Sequence, residues 1–564
     1  MERNLTELTN QVYDVLVIGG GIYGATLARE ASLCGLSVAL VEKNDFGAAT
    51  SANSLKTIHG GLRYLQNADF KRMRESIHER TTLMRIAPHL IHPLPVLIPT
   101  YGHGLKGKEA LSVALAVNDL VSCDRNRLLD QQKHIPNGRV ISQKKCLELL
   151  PGISTQGLTG GAIFHDAQVY NSERLTISFL HSAHQAGASL ANYVEVTGLV
   201  QNDNRINGVT VTDKLTENQF DIRAKTVINT CGAWGNKILG MVNQQKRWPF
   251  GVAKAMNLVT TRPLFEKYAV GITSKNSSAD SDAIVNKGSR FLFISPWRGR
   301  SMIGTEYAVY SQDPDDFQIT EADISQFMAA INQAYPPAKL KREEISFVHG
   351  GMLPTTNINS KTGEPILAKH YQIFDHSQTG LLGLISVVGV KYTTARDVAE
   401  KVVNYLFKLL GKKSPKSVSS VKSIYGGEIE NFTDFLQNAI VEKRSKGLTE
   451  LSIRRLVYNY GSAYPKVLNY LENPESEWAI VKAEILHAIH QEMAYKLSDV
   501  IFRRTELGSA GYPGDETIKF CAEVMSKELS WSSTKLEEEV QQIRNKFGIT
   551  SAIVASNIPS NFQD

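Results

Sequence analysis

Between Val15 and Gly24 the chain runs Val-Leu-Val-Ile-Gly19-Gly20-Gly21-Ile-Tyr-Gly24, and the next apolar run ends on an acid, Glu42. Glycines at this spacing behind an apolar strand suit one kind of chemistry, the holding of a pyrophosphate. Gly19 permits a tight exit from the strand, Gly21 lets the main chain approach the phosphates, and Gly24 lets the following helix lie close to the sheet. That helix offers unpaired N–H groups and the positive end of its dipole to an anion. An acid in the place of Glu42 hydrogen-bonds a ribose hydroxyl, which favours NAD or FAD over a cofactor with a phosphorylated ribose. A turn that binds nothing would share the glycines, but here the strand, the helix and the acid are all present.

A βαβ unit must position these groups, with a helix over 25–33 and a second strand over 38–42. Further along, the pattern predicts a helix over 174–186, strands over 188–200, 206–212 and 224–230, and a sheet roofing the cofactor from strands over 257–261, 291–295 and 301–304. A helix follows over 320–335. An apolar strand over 381–388 then leads into a helix that opens at Thr393. The Ser/Lys/Pro stretch from Gly411 to Lys422 has no apolar period and reads as a linker. Beyond it, amphipathic helices are predicted over 432–446, 451–460, 484–500, 518–526 and 533–546.

At 564 residues the chain is too long for one core. With 42% hydrophobic and 21% charged residues it has an ordinary soluble composition, and a net charge of +6 is small for this length. No basic cluster interleaved with aromatics points to nucleic acid. The five cysteines, Cys34, Cys123, Cys146, Cys231 and Cys521, form no C-x-x-C pair, which argues against a disulfide framework, a zinc site or a dithiol centre. The N-terminus lacks the layout of a signal peptide, and no apolar run is long enough to span a bilayer. A cytoplasmic protein is expected, with peripheral attachment to the membrane allowed. Arg72, Arg74 and Arg80 on one helical stretch, and Lys106 and Lys108 beside 111–120, read as ordinary amphipathic faces.

No second glycine fingerprint follows the first, which suits FAD lying across an extended groove. The segment Thr50-Ser51-Ala-Asn-Ser54-Leu-Lys56-Thr-Ile-His59-Gly60-Gly61-Leu62-Arg63-Tyr64-Leu65 resembles the signature of FAD-dependent glycerol-3-phosphate dehydrogenases and oxidases. So do His165-Asp166-Ala167-Gln168 with Glu173-Arg174-Leu175, and Gly389-Val-Lys391-Tyr-Thr393-Thr394-Ala-Arg396. Glu492, Asp499 and Arg503-Arg504-Thr505 are similar to that family's C-terminal helical region, so the likeness covers nearly the whole chain.

The resemblance implies an α/β fold: a glutathione-reductase-type, Rossmann-like FAD-binding domain, an antiparallel-sheet substrate domain and an all-α C-terminal domain. The first two would share 1–410, with FAD-binding parts near 12–100, 160–250 and 350–410 and substrate-sheet parts near 100–150 and 250–350. A linker over 411–424 and a helical domain over 425–564 would follow. Family members pass a hydride from a secondary alcohol to flavin and then deliver electrons to quinone or to oxygen, and a homodimer is compatible with this reading. Thr50, Ser51, Ser54, His59, Gly60, Gly61, Val196, Gly232, Gly389, Lys391 and Thr393 would join the glycine turn and Glu42 in holding FAD. Arg63, Tyr64, Lys254, Lys369 and Lys391 would hold an anionic substrate. His59 and His349 are the candidate bases, with Arg63 and Lys391 beside them, and no metal is expected.

The departures are specific. The family's Gly-x-Arg-Pro reads Gly351-Met352-Leu353-Pro354, so leucine stands where an arginine binds phosphate. A second family arginine corresponds to Lys369, a family histidine to Asn257, and an Ala-Thr-Gly turn to Thr230-Cys231-Gly232. Losing a charged hydrogen bond of this kind costs roughly 2–5 kcal/mol. The sequence therefore leaves three readings: oxidation of glycerol 3-phosphate or a related secondary alcohol, flavin chemistry on an unphosphorylated polyol, hydroxy acid or amine, and a flavin-binding scaffold.

Overall fold

The computed structural model describes residues 1–104, 107–242, 250–273, 291–360, 362–444, 447–474, 476 and 478–551. Two sheets carry the fold. The first is built on five parallel strands in the order Leu384–Val388, Gln219–Asn229, Val12–Ile18, Val38–Val41 and Ser189–Ala191. Where both faces are buried, over 15–18 and in Val38–Val41 and Leu384–Val388, the strands read as nearly continuous apolar runs, whereas Gln219–Asn229 alternates over its first half before it too becomes buried. Val15 and Val17 pack on one face with the helices Ile22–Leu33, Ser172–Gln185 and Ala395–Leu409. Leu16 and Ile18 face the other way, against the antiparallel hairpin Val194–Asn202 and Arg205–Asp213. In this hairpin the side chain of Val196 is buried in the core, and the residue pairs opposite Val211.

The second sheet has ten strands, mostly antiparallel. It includes Ile91–Tyr101 and Leu158–Val169, paired from Ile91↔Val169 to Tyr101↔Leu158. It also takes in Ile345–Ile358 and Pro365–Leu367. The substrate sheet therefore draws on parts of 12–100, 160–250 and 350–410 that the sequence reading gave to the FAD-binding part. Pro93, Pro95 and Pro99 hide the strand Ile91–Tyr101 from a propensity reading. They share one parity, so their missing N–H groups lie along the edge away from Leu158–Val169, where among the described residues only Val96 and Leu97 pair with another strand.

Helices dominate from Phe432 onward. The helix expected over 484–500 is broken: Ala479–Glu492 ends on Met493 in the left-handed conformation (φ 54°), and a new turn starts at Leu497. The stretch 411–424 is a packed strap. Arg29 donates to the carbonyls of Ser419 and Lys422, Arg85 to that of Ser420, and Arg396 to the Ser419 hydroxyl.

Candidate active site

The glycine turn lies at the C-terminal end of the central parallel strand, where open α/β sheets receive nucleotides. Gly19 has φ +103°, and a Cβ on Gly24 would stand 1.9 Å from the Gly19 carbonyl oxygen. The strand exit and the helix entry touch here, so Gly24→Ala is expected to yield a colourless protein. An absorbance spectrum of the purified variant checks this. Glu42 accepts the Gly20 N–H at 2.8 Å and the Asn44 N–H at 2.9 Å, which aims its carboxyl at the turn.

A dinucleotide fits these residues. The helix Ile22–Leu33 starts on Gly21 with no side chain capping it, apart from Ser51 Oγ, which accepts the Ile22 N–H at 2.9 Å. Gly232, at φ +54°, has nothing within 4 Å of where a Cβ would stand. At the other end, Thr394 begins the helix Ala395–Leu409 without a side-chain cap, which leaves its N–H groups for an acceptor. The helix opens two residues later than Thr393, whose side chain is buried at the entry. The two helix N-termini are tied together. Tyr23 Oη donates to the Lys391 carbonyl at 2.8 Å and accepts the N–H groups of Val390 and Lys391, and a Cβ on Gly389 would strike the Tyr23 ring.

The 50–64 segment runs between the two sheets. Thr50 Oγ1 accepts the Met352 N–H and donates to the Met352 carbonyl. Ser54 Oγ accepts the Lys56 N–H. Lys56 is buried against Glu173 at 2.8 Å, so it pins the segment to the helix Ser172–Gln185. The glycines after His59 also have a reason in the protein itself: a Cβ on Gly60 would lie 2.0 Å from the Arg80 guanidinium, and one on Gly61 would crowd Met73, Tyr64 and Ser76.

Two groups of side chains gather here. In the first, His59 Nδ1 lies 2.9 Å from Asp166 Oδ2. Asp166 also accepts the Gly60 N–H at 2.6 Å and has Arg80 at 3.5 Å. Burial alone would raise the Asp166 carboxyl, but the His59 hydrogen bond and the Arg80 charge hold it below the ordinary value. A carboxylate on Nδ1 fixes the tautomer with a free lone pair on Nε2, and the His59 side chain is 44% exposed. In the second group, Lys391 Nζ lies 4.1 Å and the Arg72 guanidinium carbon 4.3 Å from the centroid of the Tyr64 ring. Burial, reinforced by Arg72, brings Lys391 down to about 7. Arg63 is exposed and, among the described residues, makes no hydrogen bond or ion pair.

Two sequence expectations, His349 and Lys254, fail on orientation. His349 is buried, with Nε2 3.0 Å from the Ser509 carbonyl and Nδ1 3.2 Å from Asn53 Oδ1, and burial holds it well below its ordinary pKa. It braces the 50–64 segment and is not a base. Lys254 lies on the opposite face of its strand from Asn257 and pairs with Asp323 at 2.6 Å, so it cannot reach the Thr50–Ser54 side. Arg72, Arg74 and Arg80 form no outward basic patch: Arg72 and Arg80 are buried, and Arg74 forks onto Asp124. Lys106 lies outside the described residues. Leu353 sits on the same strand face as Gly351, whose Cα approaches Thr50, while Lys369 is half-buried between Pro365–Leu367 and Gln372–Asp375.

Residues 14–394 match the family of FAD-dependent oxidoreductases, and residues 417–536 match the C-terminal domain of alpha-glycerophosphate oxidase. A glycerol-3-phosphate dehydrogenase from Synechocystis is 31% identical over 551 residues, covering 96% of this chain and 97% of that protein. The chain belongs to the FAD-dependent glycerol-3-phosphate dehydrogenase family.

An aerobic glycerol-3-phosphate dehydrogenase of Staphylococcus haemolyticus is 28% identical over 95% of this chain and 94% of its own. The solved glycerol-3-phosphate dehydrogenase of Bacillus halodurans, complexed with FAD, superposes with a TM-score of 0.76 at 25% identity, covering 97% of this chain and 96% of that one. The chain is thus an FAD-dependent oxidoreductase acting on a small molecule. For this family member the sequence reading passed over Asp166 as the partner of His59. The signal was available in His165-Asp166, but 107 residues separate the pair.

Proposed function

We propose that this enzyme oxidises the secondary hydroxyl of glycerol 3-phosphate to a ketone. The observation that carries the reading is the pairing of an oriented imidazole, His59 on Asp166, with the cationic group at Lys391 and Tyr64, in a chain whose full-length relatives bear that activity in their names. Bound FAD supplies the hydride acceptor. His59 Nε2 takes the hydroxyl proton, and Asp166 stabilises the imidazolium that results. Lys391 and Arg63 hold the anionic end of the substrate. The glycine turn, Glu42, Ser51 and Gly232 would hold the dinucleotide, and the uncapped helix N-terminus at Thr394 would offer its positive end to the electron-rich edge of a reduced flavin.

For the electron acceptor we propose a quinone met at a membrane surface. In support, the helix Lys108–Val121 exposes Val113 at 66% and Leu120 at 76%, with Leu129 at 85% in the loop that follows. Among the described residues no helix is long and apolar enough to cross a membrane. Co-sedimentation with liposomes is expected for the wild type and lost in Val113→Lys/Leu120→Lys.

Anaerobic addition of glycerol 3-phosphate is expected to bleach the flavin absorbance. A protein that stays oxidised with this substrate, yet is reduced by dithionite, overturns the reading and directs attention to unphosphorylated polyols and amines.

A further inference from the structure

Arg72 lies in the first turn of the helix Phe70–Ile86 yet turns inward and is only 9% exposed. Its guanidinium shares the Tyr64 ring with Lys391. Counter-charge is scarce. Asp69 Oδ2 lies 3.4 Å from Arg72, while Asp69 Oδ1 is taken up by the Arg72 main-chain N–H. Glu75 is held by Lys401 at 2.8 Å. Lys391 forms no ion pair among the described residues, and Arg72 Nε is buried there without a hydrogen-bond partner. Arg63 adds a third cation beside Tyr64, and His370 lies within electrostatic reach of Arg72, Lys391, Asp69 and Glu75.

Two partly desolvated cations lie against one aromatic ring; Asp69 touches Arg72 at 3.4 Å and Glu75, already held by Lys401, acts on Lys391 only from a distance, so the pair repel each other until an anion arrives. A guanidinium presents a planar fork of donors that matches a phosphate, and an ammonium adds a point charge. We propose that Arg72 is a substrate-binding residue that grips the anionic group together with Lys391 and so sets the preference for a phosphorylated over a neutral alcohol. This rests on the reading that the substrate is a phosphate-bearing alcohol.

The test uses the holoenzyme and the variants Arg72→Gln and Arg72→Lys, assayed with glycerol 3-phosphate, with glycerol, and with inorganic phosphate as inhibitor. Arg72→Gln is expected to raise KM for glycerol 3-phosphate about 10- to 100-fold and to weaken phosphate inhibition in parallel, in line with the loss of a hydrogen bond to a charged group. Turnover at saturation and activity on glycerol stay within threefold, and Arg72→Lys recovers part of the loss. The alkaline limb of kcat/KM also moves to higher pH in Arg72→Gln, because removing a like charge lets Lys391 keep its proton longer.

KM and phosphate inhibition within twofold of the wild type, with full flavin content, would overturn the proposal. If Arg72→Gln does not hold flavin, the same comparison is made with Arg72→Lys. If glycerol 3-phosphate fails to bleach the wild type, the substrate reading falls, and titration of the flavin spectrum with inorganic phosphate still decides this one. A perturbation lost in the variant supports it, and one that is equal in both proteins or absent from the wild type overturns it.

Discussion

His59→Gln is expected to lower kcat about 10²- to 10⁴-fold while the protein stays yellow. Glutamine can keep a hydrogen bond to Asp166 but cannot take a proton. The alternatives nearby are poor. His349 is buried with both ring nitrogens against oxygen atoms, and Asn257 is an amide whose Nδ2 donates to the Asn53 carbonyl while its Oδ1 accepts from Thr305. Asp166→Asn is expected to fall in the same range, because the amide can present its N–H to Nδ1 and so favour the wrong tautomer. Stopped-flow reduction of the flavin by glycerol 3-phosphate separates this step from reoxidation. A reduction rate within threefold of the wild type in His59→Gln would move the proton to another group.

The second large effect is on stability. Arg504→Met is expected to cost about 3–5 kcal/mol, because it strands a buried carboxylate. The Arg504 guanidinium forks onto Asp45 at 2.7 Å through both terminal nitrogens and also donates to the Glu492 carbonyl. Arg503 joins it on Asp45 and reaches Asp499 at 2.7 Å, while Arg174 forks onto Glu492 at 2.5 and 2.8 Å. These residues knit the loop after Val38–Val41 and the helix Ser172–Gln185 to the C-terminal helices. Burial would raise Asp45, but the two arginines hold it down to about 2. The sign follows: its share of stability is present above the unfolded carboxylate value of about 4 and is lost as pH falls from there towards 2. Urea unfolding of the wild type should therefore weaken across that window. The variant should be weaker at pH 7 and show a smaller acid dependence, because Arg503 alone remains on Asp45. An unchanged urea midpoint in Arg504→Met would mean that the junction is held by its apolar contacts alone.

Much of this protein is legible in its sequence where the determinants are local. The glycine turn, the helix behind it and the acid at the end of the second strand lie within 30 residues, and the structure keeps them as one unit. What escaped depends on distance and on parity. Lys254 belongs to a largely buried strand whose two faces the sequence alone cannot tell apart, and a single step in parity separates its face, against the helix Glu321–Ala334, from that of Asn257. At the break, Glu492, the residue before Met493, is tied to Arg174, 318 residues away, a partner no local pattern announces. Glu492, Asp499, Arg503 and Arg504 were recognisable as a motif, but their task, holding the C-terminal helices to the rest, needed the fold.

Tyr23 has a thermodynamic consequence. Its ring and hydroxyl belong to the first turn of the helix that meets the pyrophosphate, yet its hydrogen bonds hold the Val390–Lys391 loop. The main chain at Lys391 and the first turn of the glycine-turn helix therefore share one side chain, so the two sites are mechanically joined there. Reciprocity then requires that whatever factor substrate occupancy imposes on FAD affinity, FAD imposes on substrate affinity. Tyr23→Phe, which cuts the hydroxyl and keeps the ring, uncouples the two, so that FAD dissociates from the variant at one rate with or without a bound anion.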